Sequence, residues 1–537
     1  MRLINRLFLA LLSCALSVGV FAQTQDSTVV AAKDSVAPKK TKVFLEHANT
    51  LSFDKERNAE AQVLNGDVCF RHDSSYMYCD SAYFFEQTNS LEAFSNVRME
   101  QGDTLFVYGN YLFYDGNTQI AYLRENVRME NGQVTLFTDS LNYERIPDIG
   151  YYFDGGLIVD SLNQLSSFYG QYSPSTKLAI FNDSVRLENE QFTLYSDTLH
   201  YNTDSKIATI LGPSIIVSDS GTIYSSRGWY DTVNNTSLLL DRSQVVSGDR
   251  ILTGDSIAYN RELGFGEAFG NMSLQDTAQH VMLEGQYGFY NEKSEYAFAT
   301  DSARFLEFSQ GDTLFLHGDT LKMTTVDSLY REVKAYYGVR FYRTDVQGVA
   351  DSLVFSTKDS CLTMYHDPIL WNKNQQLVGE KICMYMNDST IDWAHIINQA
   401  LSIEQIDTTM YNQVTGKEMK AYFRNKQMYK TEVIGSVRLV YYPMDSDSTL
   451  IGMNVSETSK LDIYLENQKL EKMVMSPKSN GTLYPMTQIP SGTSKLQNFV
   501  WFDYIRPLNK QDIFNWRSKK AEDQLKKNVR GPVELPN

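Results

Sequence analysis

From Gly102 to Glu144 the chain reads GDTLFVYGNYLFYDGNTQIAYLRENVRMENGQVTLFTDSLNYE, in which long runs of alternating apolar and polar residues are cut by turn residues. Asp103 to Tyr114 is rich in β-formers and ends at Asp115-Gly116-Asn117; Gln119 to Glu130 returns and ends at Asn131-Gly132. This predicts long antiparallel strands joined by tight turns, with the turns fixing the register.

Each outgoing strand is interrupted in its middle, at Gly109-Asn110 and again at Asp139-Ser140, and the apolar phase slips there. Leu105 and Val107 are odd-numbered while Leu112 and Tyr114 are even; in the next unit Val134 and Leu136 are even while Leu141 and Tyr143 are odd. A one-residue slip would turn half of a strand's apolar set outward unless the strand bends or bulges. The pattern therefore predicts a crease, each strand contributing to two facing sheets.

The interruption recurs at Asp80, Asn110, Asp139, Gln171, Asp197, Gly228, Asp255, Gln286, Asp319, Asp351 and Glu380, by subtraction one unit every 26 to 33 residues. Return strands centre on Val68, Val97, Val127, Ile158, Val185, Ile216, Val245, Met272, Arg304, Val339 and Ile369, as in NVRME at Asn96–Glu100 and Asn126–Glu130 and SVRLE at Ser184–Glu188. Such periodicity marks stacked supersecondary units and one elongated body, on the order of 100 Å long at ~4.8 Å per strand.

The ends differ from the repeats. Residues 1–22 carry Arg2, Arg6, an apolar core from Leu7 to Val20 and Val20-Phe21-Ala22 before Gln23, the form of a signal peptide. Residues 23–42 read as a flexible leader, 43–401 as the β repeats, 402–500 as variant C-terminal β repeats, and 501–537 as a basic tail containing a short helix over Asn509 to Val529. Leu12-Ser13-Cys14 faintly resembles an acylation box, but the apolar run continues past Cys14.

The formal net charge of −16 becomes −18 when Arg2 and Arg6 leave, which argues against nucleic acid as a partner. No later stretch approaches the ~18 apolar residues of a spanning helix, so a soluble exported protein is expected. Cys69, Cys79, Cys361 and Cys383 remain, each pair centred on a turn, so two hairpin disulfides are expected as an alternative to buried thiols.

GxSxG, HExxH and GK[ST] signatures are absent. His200, His317 and His366 fall at similar places in different units and read as surface or crease residues. The repeated Asp-Ser or Asp-Thr at 80, 139, 197, 255, 319 and 351 invites a calcium ladder, but Asp and Ser also satisfy backbone groups at bends. No enzyme activity, cofactor or metal is expected. The 34 Tyr and 28 Phe suit either a packed core or an apolar groove.

The pattern A-x-x-N-V-x-M-E-x-G-D-T-L-x-x-x-G-x-x-L-x-Y-D, at Ala93 to Asp115, resembles the LptA/OstA-like periplasmic lipopolysaccharide-transport family, especially its long Bacteroidetes-type OstA-like members. The resemblance covers 43–401 well and the rest loosely. It implies an all-β, creased β-jellyroll, or β-taco, whose hydrophobic groove carries acyl chains of lipopolysaccharide or a similar glycolipid towards the outer membrane. It further implies a periplasmic location, with outer-membrane association left open, and other lipopolysaccharide-transport proteins of the inner and outer membrane as partners. The inward phase then makes Leu112, Tyr114, Ala121, Val127, Met129, Leu141, Tyr143, Leu199, Tyr201, Ile257 and Tyr259 the expected groove lining. The competing expectation is a non-catalytic exported β-repeat scaffold with a closed core.

Overall fold

The computed structural model describes residues 41–53, 61–308, 311–327, 329–387, 391–424, 427–445, 447, 449–466 and 469–520. The expected signal peptide, all but the end of the leader and the tail beyond Lys520 lie outside them. From Phe44 to Pro485 the described residues form one antiparallel sheet, each strand paired with close neighbours in sequence. The strands Leu105–Asp115, Ile120–Asn131 and Val134–Glu144 are those the alternation predicts.

The crease is present, and the return strands make it. Val97 pairs with Gly109 and Phe94 with Tyr111, so Ser95 and Asn96 together oppose Asn110 alone. Glu125 and Asn126 likewise oppose Asp139. The paired residues are left-handed, at φ 62° and 50° for Ser95 and Asn96 and 64° and 54° for Glu125 and Asn126. Outside glycine that region is costly, and Asn and Asp tolerate it best. The carboxylate opposite helps to hold the bend: Asn96 Nδ2 donates to Asp80 Oδ2 at 2.7 Å, and Asn271 Nδ2 to Asp255 Oδ2 at 2.8 Å. Hydroxyls brace the outgoing side, where Thr138, Ser167, Ser196 and Ser225 each donate to the carbonyl two residues on, at 3.3, 2.7, 3.0 and 2.9 Å. The repeated Asp-Ser and Asp-Thr pairs thus sit where strands bend, and among the described residues no group of three or more His, Cys, Asp or Glu is placed to hold a metal ion.

The bends fold the sheet into two layers. The first contains the start of each outgoing strand and the end of each return strand, and the second contains the other halves. Inward residues of both layers form one continuous core from Val43 to Leu461.

The expected C-terminal helix is corrected, and two further observations bear on the variant repeats and the cysteines. Asn509–Lys520 contains no α-helix but a 3-10 turn at Asp512–Phe514, because this segment packs as a strap rather than propagating a helix; the remainder of the expected helix lies outside the described residues. The boundary at 401/402 falls inside the strand Ile391–Gln405, since the later strands lengthen without interrupting the sheet. Finally, all four described cysteines are free thiols. A two-residue turn at Asp73-Ser74, closed by the His72–Ser75 pair, puts Val68 opposite Cys79 and Cys69 opposite Tyr78. The two sulfurs then point to opposite faces of the sheet. Cys361 lies opposite Tyr385 and Cys383 opposite Thr363, two residues out of register on the same face.

The strap is a feature the alternation does not reveal. After Pro485 the chain runs back along the outer face of the first layer. Gln413 Nε2 donates to the Ser494 carbonyl at 2.8 Å while its Oε1 accepts from Leu496 N at 2.8 Å. Gln376 repeats the clamp on Val500 and Phe502 at 2.8 and 2.7 Å, and Arg506 Nε reaches Gln347 Oε1 at 2.9 Å. Beneath the strap lie Val349, Ile369, Trp371, Val378, Leu401, Ile403 and Tyr411, an apolar outer face sealed by Phe502 and Ile505.

Candidate functional site: a tyrosine row and the cavity beyond it

One cross-strand row inside the second layer decides where the layers close. Tyr114 pairs with Ala121, Ala121 with Tyr143, and the alternation continues through Gly150, Tyr172, Ala179, Tyr201, Ala208, Tyr230, Ser237, Tyr259, Gly266 and Tyr290 to Ala297. The small residues leave space for the inward side chains around them: a Cβ built on Gly266 would lie 2.6 Å from Leu252 Cδ2 and 3.4 Å from the Tyr259 ring.

A tyrosine buries its ring and still carries a polar tip; the tips of Tyr114, Tyr143, Tyr172, Tyr201 and Tyr290 bridge the layers at their free edges, while Tyr230 Oη donates to Asn235 Oδ1 at 3.1 Å within its own layer. Tyr114 Oη lies 2.6 Å from His72 Nδ1 and accepts from Arg145 Nη1 at 2.6 Å. Tyr143 Oη is 3.2 Å from Gln101 Oε1 and 2.5 Å from Asp148 Oδ1. Asn131 Nδ2 donates to Tyr172 Oη at 3.2 Å, and Tyr201 Oη donates to Asp160 Oδ2 at 2.6 Å. Arg250 Nη1 donates to Tyr290 Oη. His72, Gln101, Asn131, Asp160 and Arg250 belong to the first layer, so these bonds act as rungs across the mouth.

The electrostatics fit a closed seam. Burial, and secondarily Asp148, push the Tyr143 phenol above its ordinary range; burial and Asp160 do the same for Tyr201. Burial alone would raise the Asp160 carboxyl, but bonds from Tyr201, Leu162 N, Lys206 and Asn163 N hold it below its ordinary value. The Lys206 ammonium sits 3.0 Å away.

All eleven expected groove residues are inward and buried: Leu112, Tyr114, Ala121, Leu141, Tyr143, Leu199, Tyr201 and Ile257 have no measurable exposure, and Val127, Met129 and Tyr259 reach at most 8%. The structure gathers them into one core, with the seam across its mouth, rather than along an open groove.

Past Ala297 the row changes to Met323, Val333, Phe355, Leu362 and Met384, none of which can form a polar rung. A cavity of about 360 Å³ opens there. The first layer contributes Leu274, Val281, Phe305, Leu314 and Leu316, and the second Met323, Val333, Leu353, Phe355, Leu362 and Met386. Its rim alternates in charge. Arg250 and Arg331 each approach Asp276 at 3.6 Å, and Arg250 also meets Glu295 at 3.2 Å. A bond from Thr325, then Arg250 and Arg331, hold Glu295 below its ordinary value against the opposing effect of burial. None of the eleven expected residues lines this cavity. The signal that would have found it is the loss of Tyr near the end of the outgoing strands, at Met323, four places before its turn, and at Phe355, two places before its turn. Clefts of about 790 and 560 Å³ elsewhere are shallow troughs on the outer face beside the crease, at Tyr195, Ile215 and Tyr224 and at Tyr108, Phe137 and Leu157.

Residues 40–197 and 185–255 match the family described as OstA-like protein. Over these residues the chain is OstA-like. The OstA-like match thus covers most of the tyrosine row and stops at its approach to the cavity. Beyond residue 255, the sheet and its inward row continue without a break. Among solved structures, the crystal structure of LptH from Pseudomonas aeruginosa, described as the LptA homologous periplasmic component of the conserved lipopolysaccharide transport device, is similar at 13% identity and a TM-score of 0.19, over 19% of this chain and 79% of LptH. No curated protein matches the chain.

Proposed function

We propose that this OstA-like protein is a non-enzymatic, periplasmic component of lipopolysaccharide transport that seats acyl chains of lipopolysaccharide or a similar glycolipid between its two layers, at the cavity bounded by Leu274, Phe305, Leu316, Met323, Phe355 and Leu362. The signal-peptide pattern at 1–22 supports export. The observation that carries the reading is the coincidence of two changes: tyrosine gives way to methionine and phenylalanine along the inward row, and there the layers part to leave an apolar cavity with a charged rim. A concave apolar site with a few polar groups at its edge suits an amphiphile, tail inside and head at the rim. Other transport proteins of the inner and outer membrane are the partners this role requires.

The closed seam over the preceding units favours the scaffold reading for that part of the chain. Bridge and scaffold are then successive parts of one body. The reading is tested with a photo-reactive phenylalanine at Phe355 or Leu141 in cells. Lipopolysaccharide adducts at Phe355 and none at Leu141 are expected; silence at Phe355, with the protein folded and exported, would refute the lipid site.

A further inference from the structure

The first-layer wall of the cavity is thin. Arg304–Glu307 and Leu314–His317 are strands of only four residues. Inward, Phe305, Leu314 and Leu316 line the cavity. Outward, Arg304, Phe315 and His317 meet the end of the strap: the Phe514 ring lies 4.8 Å from His317, the Arg304 guanidinium 5.9 Å from Phe514, and Lys510 Nζ 6.0 Å from Phe315. On the neighbouring strand Arg340 donates to the Ile513 carbonyl and lies 5.2 Å from the Trp516 ring. The turn that presents these groups is itself tied down. Asp512 accepts from Leu508 N at 2.9 Å, from Asn515 Nδ2 at 3.0 Å and from Arg517 Nη1 at 2.9 Å, and Ile513 is buried.

We propose that the turn Leu508–Arg517 is a latch that governs how freely an acyl chain enters the cavity: seated, it braces the two short strands from outside, and displaced, it lets them swing away from Met323 and Phe355. This inference rests on the acyl-chain reading of the cavity. Strands of four residues, though paired on both sides, carry short ladders and lie towards the low end of local stability, so an external brace adds to what holds them closed. Latch and cargo act on opposite faces of the same strands. Cargo that pushes the wall outward must therefore loosen the latch as much as latch release eases cargo entry.

The test compares the full chain with Phe514→Ala, using amide exchange without ligand and the association rate of a dansyl-labelled undecanoic acid. Exchange over 304–317 is expected to rise about tenfold, the factor that ~1.4 kcal/mol makes, roughly one lost aromatic contact. Probe association should accelerate similarly while exchange over 105–144 stays unchanged. Faster exchange without faster entry, or unchanged exchange, would overturn the latch. Should Phe514→Ala not fold, Trp516→Ala, whose side chain is exposed, tests the same turn. A wild-type chain that does not bind the probe overturns the lipid reading itself, and the latch with it.

Discussion

Tyr290 and Met323 occupy the same inward row, separated by Ala297 alone, and the cavity begins between them. On one side a phenol reaches across to Arg250 and closes the mouth; on the other a thioether cannot. Along the row the change from tyrosine to methionine coincides with the change from a filled core to an open one.

Leu141→Asp is expected to melt its own region rather than block a groove. Leu141 is wholly buried, facing Leu123 across the strand pair. An unpaired carboxylate there costs several kcal/mol on the order given by transfer of a polar group into an apolar interior. Limited proteolysis should cut near residues 105–160 in the variant while the cavity region stays resistant. A resistant variant would mean that the layers are not closed at Leu141.

Buried tyrosines, inside the row and beside it, make the closed units sensitive to alkali. Burial pushes the Tyr152 and Tyr259 phenols from 10.0 up to about 12. A raised folded value means that the stabilisation is complete below the unfolded value near 10 and lost as pH rises from about 10 to 12, at roughly 2 to 3 kcal/mol per group. Ultraviolet titration should show these phenols ionising only with loss of protease resistance. Simple titration near 10 for every tyrosine would contradict the burial.

Acid should release the strap before it unfolds the sheet. Bonds from Arg517 and Asn515 hold the Asp512 carboxyl down at about 2 from 3.8. A lowered folded value gives stabilisation that is present above 3.8 and lost as pH falls towards 2, about 2 kcal/mol in all. Amide exchange at 508–517 should rise over that window in the wild type, whereas Asp512→Asn should already exchange rapidly at neutral pH. A window that persists in Asp512→Asn would assign the effect to another carboxylate.

The cysteines should behave as slow thiols. Burial pushes the Cys79 thiol up to about 12, leaving almost no thiolate at neutral pH. Partial burial, and then Glu46, raise the Cys69 thiol as well, but Cys69 is only half-buried where Cys79 is buried. Mass mapping of purified chain should therefore recover all four thiols, with Cys69 alkylated ahead of Cys79. A Cys69–Cys79 bridge would require a register other than Val68 opposite Cys79.

The sequence by itself determined the strands, their turns and the crease. All three are local: Asp115-Gly116 and Asn131-Gly132 set tight turns, and the phase slip at Gly109-Asn110 can be accommodated only by a bend. It also determined which residues face inward, Leu112, Tyr114, Leu141 and Tyr143 among them, because strand periodicity fixes the face. Only the tertiary structure decided whether the space between the inward faces is full or empty. That depends on rungs such as Asp160 to Tyr201, made between residues 41 apart, and on how the two inward faces fill the space between them. The strap was likewise illegible, since Gln376 and Gln413 look like ordinary solvent-facing residues of an alternating strand. They become buried clamps because Val500, Phe502, Ser494 and Leu496 return to them from more than 80 residues away, and a contact of that separation leaves no trace in local alternation.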